Sequence, residues 1–301
     1  MAQDRTAEVS EAEIAVHWQE EAYLHPPEKF IAQANLTDRS VFDRFSLDNF
    51  PDCFKEYADL LDWYKTWDIT LDTSNPPFWR WFVGGRLNAS YNCVDRHLAK
   101  YKNKTAIHFV PEPEHEAIQH LTYQELYVRV NEVAALLRDF CGLKKGDRVT
   151  LHMPMVPELP ITMLASARLG VIHSQVFSGF SGKAVAERVV DSESRVLITM
   201  DAYWHGGVLL DHKEKADVAF EEARKQGVTL EKVLVWQRYP GRYSSKSVLI
   251  EGRDFITNDV LSIFRHRRVD PVELLADDSL FLMYTSGTTG RPKGCQHSIG
   301  G

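Results

Sequence analysis

The sequence predicts an α/β fold: a mostly parallel sheet flanked by helices over residues 86–301, with an aromatic-rich helical segment before it over residues 1–85. Three observations predict this. From about Leu87 onward, short apolar runs alternate with helical repeats of about ten to fifteen residues, the pattern of strand–crossover–strand units. The helical repeats carry their own start and stop signals. The first 85 residues lack that alternation and are instead crowded with rings, among them Trp63, Trp67, Trp79, Trp81 and Phe82.

In chain order, the N-terminal segment reads as short helices joined by proline-containing loops such as Pro26-Pro27 and Pro76-Pro77. Its rings are packing material for a neighbouring domain, and no ligand site is expected among them. A helix is expected over 88–100 and a strand over 105–110. Thr122-Tyr123-Gln124-Glu125 is a capping box, in which threonine and glutamate satisfy each other's backbone N–H groups. Behind it Leu126, Val130, Val133, Ala134 and Leu137 recur at helical spacing until Gly142 ends the run. Lys144-Lys145-Gly146-Asp147 turns the chain into a strand over 148–153. A helix over 157–168 stops at Gly170, a strand follows over 171–177, then a helix over 181–190 and a strand over 195–200. The remaining elements are a helix over 211–226 and strands over 232–237 and 279–284. Sheets of this kind receive ligands at the carboxyl ends of their strands, so the loops after Phe177, Met200 and Tyr284 are the places for a site.

Composition narrows the function. Hydrophobic residues make up 44% and charged residues 26%, which supports a sizeable core and argues against a disordered chain. A net charge of -7 gives no electrostatic reason to expect nucleic acid or an anionic membrane as partner. The basic cluster Arg265-His266-Arg267-Arg268 reads as a solvated face. Cys53, Cys93, Cys141 and Cys295 contain no C-x-x-C pair and match no zinc spacing, so reduced thiols and no protein-held metal are expected. The acidic, polar N-terminus lacks a secretory pattern, and no run approaches the roughly 20 apolar residues of a membrane span. The cytoplasm is the expected compartment.

The informative segment is the apolar run ending at Tyr284, followed by Thr285-Ser286-Gly287-Thr288-Thr289-Gly290-Arg291-Pro292-Lys293-Gly294. Glycines let a backbone approach phosphate closely, and converging N–H groups can hold its oxygens. Thr285, Ser286, Thr288 and Thr289 add hydroxyl donors, and Lys293 adds a compact positive charge. The pattern is not that of the common NTPase loop, which needs four residues between its first glycine and Gly-Lys-Ser/Thr. Only two separate Gly287 from Gly290 here.

YTSGTTGRPKG resembles the phosphate-binding signature of the acyl-adenylate-forming enzymes. Residues 79–98, 144–170, 176–201 and 251–254 extend the resemblance to the AMP-forming acetyl-CoA synthetases, the short-chain acyl-CoA synthetases of that superfamily. It implies a synthetase-type N-terminal segment over 1–85 and an AMP-binding domain over 86–301 that is incomplete at its C-terminal end, the chain being an N-terminal fragment. The implied ligands are ATP, Mg2+, coenzyme A and a small carboxylate, with acyl-CoA, AMP and pyrophosphate as products of a reaction through an acyl-adenylate. Thr285, Ser286, Gly287, Thr288, Thr289, Gly290 and Lys293 would hold the β- and γ-phosphates, Lys293 orienting the leaving pyrophosphate. The main catalytic lysine and the acyl pocket are expected outside this chain, and the fragment alone is expected to be inactive.

Phe177-Ser178-Gly179-Phe180 resembles the family's Phe-Gly-Gly-Phe, which lines the tunnel for the pantetheine arm of coenzyme A. A small-residue turn after a strand leaves room for a thin chain, and it serves equally as a plain strand–helix connection. Arg188, Asp191 and Arg195 match a family run and read equally as ion pairs at a helix end. After Asp201 the family carries two arginines toward the phosphate end of coenzyme A, where this sequence has His205 and Val208. That departure leaves the phosphate contact of coenzyme A unassigned. Two other readings stay open: a non-catalytic short form that binds nucleotide or protein, and an adenylating ligase with another acceptor. Acyl group and oligomeric state are not legible.

Overall fold

The computed structural model describes residues 25–34, 38–244, 247–285 and 292–301. The chain divides into two compact units, Met1–Cys53 and Phe54–Gly301. In the first, the described residues form single-turn helices at Glu28–Ile31 and Val41–Arg44, and Asp38 accepts hydrogen bonds from the Ser40 backbone and side chain.

The second unit is built on a seven-stranded sheet. Its strands are β6 (Arg148–His152), β7 (Ile172–Val176), β8 (Val196–Met200), β11 (Lys232–Trp236), β12 (Asp254–Ile256), β14 (Ser279–Thr285) and β15 (Lys293–Ser298). The order is β12-β11-β8-β6-β7-β14-β15. All neighbours are parallel except β15, which runs antiparallel to β14 at the edge. Period-2 alternation splits these strands between two cores. Val149, Leu151, Ile198, Leu234 and Trp236 face one core, while Leu197, Val233 and Val235 face the other. Buried on both faces, the central strands read as continuous apolar runs.

The first core is closed by helices α2 (Tyr123–Ala135) and α3 (Glu158–Leu169), the second by α4 (Gly182–Ser192) and α5 (Lys213–Lys225). The capping box at Thr122 and Glu125 is present, with both reciprocal bonds. Gly170 ends α3 at φ +70, where a Cβ would lie 2.7 Å from Leu274. Glu193 closes α4 in the left-handed region.

Several elements differ from the sequence reading. The helix expected over 88–100 is broken. After α1 (Ala89–Cys93), capped by Asn88, the backbone leaves the helix at Val94. This lets Asp95 meet Arg168 in a nearly buried two-pronged ion pair at 2.7 and 2.8 Å, and Arg168 also donates to the Val269 carbonyl. The aromatic-rich stretch is not purely helical: β1 (Ile69–Asp72) pairs antiparallel with β2 (Arg80–Val83), as its β-branched and aromatic residues favour. Trp63, Trp67 and Phe82 cluster there with Leu87, Ala276 and Ile299. Short pairs β3 (Arg86–Leu87) with β13 (Leu274–Leu275), and β4 (Thr105–Phe109) with β5 (Gln119–Thr122), complete this end.

The helix expected over 211–226 begins at Lys213, because a hairpin precedes it. Strands β9 (Ala202–His205) and β10 (Val208–Asp211) are joined by Gly206-Gly207, both with positive φ. The signal was in the sequence: two glycines between two strand-like runs specify a two-residue hairpin loop. Strands β12 and β15 and helix α6 (Thr257–Ser262) add to the elements the sequence predicts. Among the described residues no helix is long and apolar enough to cross a membrane. The four cysteines form no disulfide.

Candidate functional site

The chain leaves β6 for β7 on one side, then crosses back over β6 to reach β8 on the other. Such a reversal opens a crevice beyond the carboxyl ends of the strands. A cavity of about 510 Å³ lies there, lined by Met155 after β6, Ser178 after β7, Tyr203 and Trp204 after β8, and Arg238 after β11. The loops after Phe177 and Met200 thus share one cavity. Asp201 fixes its wall: the buried carboxylate accepts backbone N–H groups from Ala202, Arg238 and Tyr239, tying the end of β8 to the loop after β11. Burial raises its pKa, against the pull of those hydrogen bonds.

The turn 177–180 is held by its surroundings. Lys215 on α5 donates Nζ to the Ser178 carbonyl at 2.7 Å, and burial lowers its pKa. Beneath lies a buried stack of His152 and His212, ring centroids 4.1 Å apart, with a His212 Nε2 contact to the His152 carbonyl at 3.0 Å. Desolvation lowers both, His212 to about 4, which favours their neutral forms. Nothing in the sequence patterning singled out this histidine pair. His205 and Val208 are Cα partners flanking the hairpin tip, and both are exposed. His205 lines the cavity together with Lys215 and Arg238; Arg238 lies over the Phe109 ring and pairs with Glu116 at 3.3 Å.

The phosphate-loop candidates are placed at two strand ends. Thr285 is the last residue of β14 and Lys293 the first of β15, and they are Cα partners, both exposed. Ser286, Gly287, Thr288, Thr289 and Gly290 lie outside the described residues. Among the described residues Lys293 is in no ion pair. Strand β14 is parallel to β7, with Leu282 opposite Ser174. Carried on by the same offset, that register sets Thr285 level with Phe177, so the turn after β7 and the end of β14 share one edge of the sheet. A second cavity of about 390 Å³ spans them, lined by Phe177, Phe180, Arg188, Met283 and Tyr284.

Arg188, Asp191 and Arg195 do not form one ion-pair network. Arg195 pairs with Glu231 through two nitrogens and with Asp147 at 2.8 Å. Asp191 accepts from the Tyr284 hydroxyl at 2.7 Å. Arg188 lies against the rings of Phe180 and Tyr284 instead, 4.6 and 5.3 Å from their centroids. Arg253 and Asp254, within the 251–254 motif, form a structural clamp with buried Lys213 and with Asp217. Among the described residues no three His, Cys, Asp or Glu side chains are grouped to hold a metal ion.

Comparison with known proteins identifies the family. Residues 94–301 match the model of the AMP-binding enzyme family, and residues 42–93 match that of the acetyl-coenzyme A synthetase N-terminus. The chain belongs to the AMP-binding enzyme family. It is 46% identical over 268 residues to an acetyl-coenzyme A synthetase of Pyrobaculum aerophilum, covering 86% of this chain and 39% of that protein. It is 40% identical over 260 residues to an acetyl-coenzyme A synthetase of Methanothrix soehngenii (86% and 37%), and 43% identical over 244 residues to a 3-hydroxypropionyl-coenzyme A synthetase of Metallosphaera sedula (81% and 35%). The chain thus spans less than two fifths of the length of these relatives.

Proposed function

We propose that this chain is the part of an AMP-forming short-chain acyl-CoA synthetase that holds the polyphosphate of ATP and admits coenzyme A. One observation carries the reading: the parallel register of β7 and β14 brings the 177–180 turn and the Thr285–Lys293 strand ends to the same edge of the sheet. A carboxylate attacks the α-phosphorus of ATP, giving an acyl-adenylate and pyrophosphate. The thiol of coenzyme A then takes the acyl group, loses its proton, and AMP leaves. The names of the relatives support a short acyl group such as acetate or a hydroxylated three-carbon acid.

The first step brings a carboxylate beside a polyphosphate, so like charges must be cancelled where they meet. Lys293, an exposed ammonium without an ion-pair partner among the described residues, is suited to the pyrophosphate oxygens, with the Thr285 hydroxyl opposite it. Ser286, Gly287, Thr288, Thr289 and Gly290 complete that cradle in this reading. Mg2+ supplies further neutralisation when bound, taking its ligands chiefly from phosphate and water. Phe177, Ser178, Gly179 and Phe180 border the path of the pantetheine arm, and Ser178 and Gly179 leave the room a thin chain needs. Residues 1–85 serve as the synthetase-type N-terminal segment and 86–301 as AMP-binding domain, in a cytoplasmic enzyme.

The test is Lys293→Ala in the complete enzyme carrying this chain, read by single-turnover kinetics. Adenylate formation is expected to slow at least about tenfold, while transfer from preformed acyl-adenylate to coenzyme A changes less than about threefold. Equal slowing of both half-reactions, or of neither, contradicts the assignment.

A further inference from the structure

Arg188 is 7% exposed, yet among the described residues no carboxylate pairs with it. Among the described residues its guanidinium makes one hydrogen bond, from Nη1 to the Ala184 carbonyl of its own helix at 2.6 Å. Removing a guanidinium from water without a counter-charge is costly, and here burial pulls its pKa down. A leucine or methionine would fill the same space without that penalty. What the guanidinium does that an aliphatic chain cannot is attract two π faces at once. One belongs to Phe180, in the turn after β7, and the other to Tyr284, the residue before Thr285. Asp191, one helical turn further along α4, holds the same tyrosine by its hydroxyl. Helix α4 therefore grips the end of β14 at two points and the turn at one.

We infer that Arg188 is a positioning residue that links the two halves of the site, so that nucleotide bound at the end of β14 changes the affinity of the 177–180 turn for coenzyme A. The inference rests on the functional reading above. A displacement of Tyr284 on binding polyphosphate is passed through the guanidinium to Phe180 because both rings lie against the same planar group. By thermodynamic reciprocity coenzyme A alters nucleotide affinity by the same factor.

The experiment measures the dissociation constant of coenzyme A with and without saturating Mg-ATP, carboxylate being omitted, in the complete enzyme carrying this chain. In the wild type the two constants are expected to differ by about fivefold or more. In Arg188→Met the ratio is expected to fall to within about twofold of one. Tyr284→Leu, which leaves the arginine but removes its second ring, gives the same result and decides the matter should Arg188→Met not fold. Tyr284→Phe keeps the ring and keeps the ratio. A merely structural defect lowers both affinities together and leaves their ratio in place, so an unchanged ratio in Arg188→Met or Tyr284→Leu overturns the inference. A wild type that binds both ligands with a ratio of one overturns it while leaving the functional reading intact; a wild type that binds neither overturns both.

Discussion

Lys293 and Arg188 are cations near the same sheet edge, and burial separates their roles. The lysine is exposed and has no ion-pair partner among the described residues, whereas the arginine lies between two rings. The role proposed for the lysine comes from the sequence, where glycines, hydroxyls and one lysine follow an apolar strand in a fixed order. The ring contacts of Arg188 were not legible, because which rings surround a residue depends on strand register, and spacing alone cannot give that. His173 shows a further residue-scale consequence. Both its ring nitrogens are buried without a hydrogen-bond partner among the described residues, and burial lowers its pKa to about 4 from the ordinary 6.5. The unfolded chain therefore binds the extra proton between those values, and the native state loses stability as pH falls through that window. The loss attributable to this one residue is about 2 kcal/mol between pH 7 and pH 5. His173→Leu is expected to reduce the difference between urea midpoints at these two pH values, partially, because His212 is shifted the same way. An unchanged pH dependence in the variant contradicts this account of the buried imidazole.

At the scale of elements, local punctuation was read best. The capping box at Thr122, the stop at Gly170 and the strands at Arg148–His152 and Val196–Met200 depend on neighbours in sequence, and the structure has them; α2 runs on through a π-helical turn, Leu136–Phe140, before Gly142 takes a positive φ. The break at Val94 was hidden because its cause is distant: Asp95 leaves the helical path to pair with Arg168, seventy-three residues on. Strand β15 was hidden because Gly294 and His297 do not read as strand formers and Pro292 stands directly before it, and only its partner β14 makes it one. Gly170 provides the test at this scale. Its φ of +70 and the 2.7 Å approach of Leu274 leave no comfortable place for a Cβ. Gly170→Ala is expected to destabilise the domain by about 2 kcal/mol, seen as a lower denaturant midpoint with an unchanged slope. A neutral substitution contradicts the requirement for glycine at the end of α3.

Across the whole molecule, the fold places the site before any particular side chain does. Crossing back over β6 creates one crevice where four strands end, and the adjacent pairing of β7 with β14 widens it toward Thr285 and Lys293. The alternation of strands and helices made the sheet predictable, and with it the loops after Phe177, Met200 and Tyr284. The order of the strands was not predictable, and it decides which of those loops meet. The molecule carries a net charge of -7, so an anionic ligand is held only where local cations oppose the global sign. The central claim is that Lys293 supplies such a charge at the β14–β15 return. Calorimetric titration of Mg-pyrophosphate into the wild type, Lys293→Ala and Lys215→Ala tests it most directly. The account predicts binding at least about tenfold weaker in Lys293→Ala, the cost of one charge-assisted contact, and little change in Lys215→Ala, whose ammonium lines the other cavity. Equal affinity in the wild type and Lys293→Ala contradicts it.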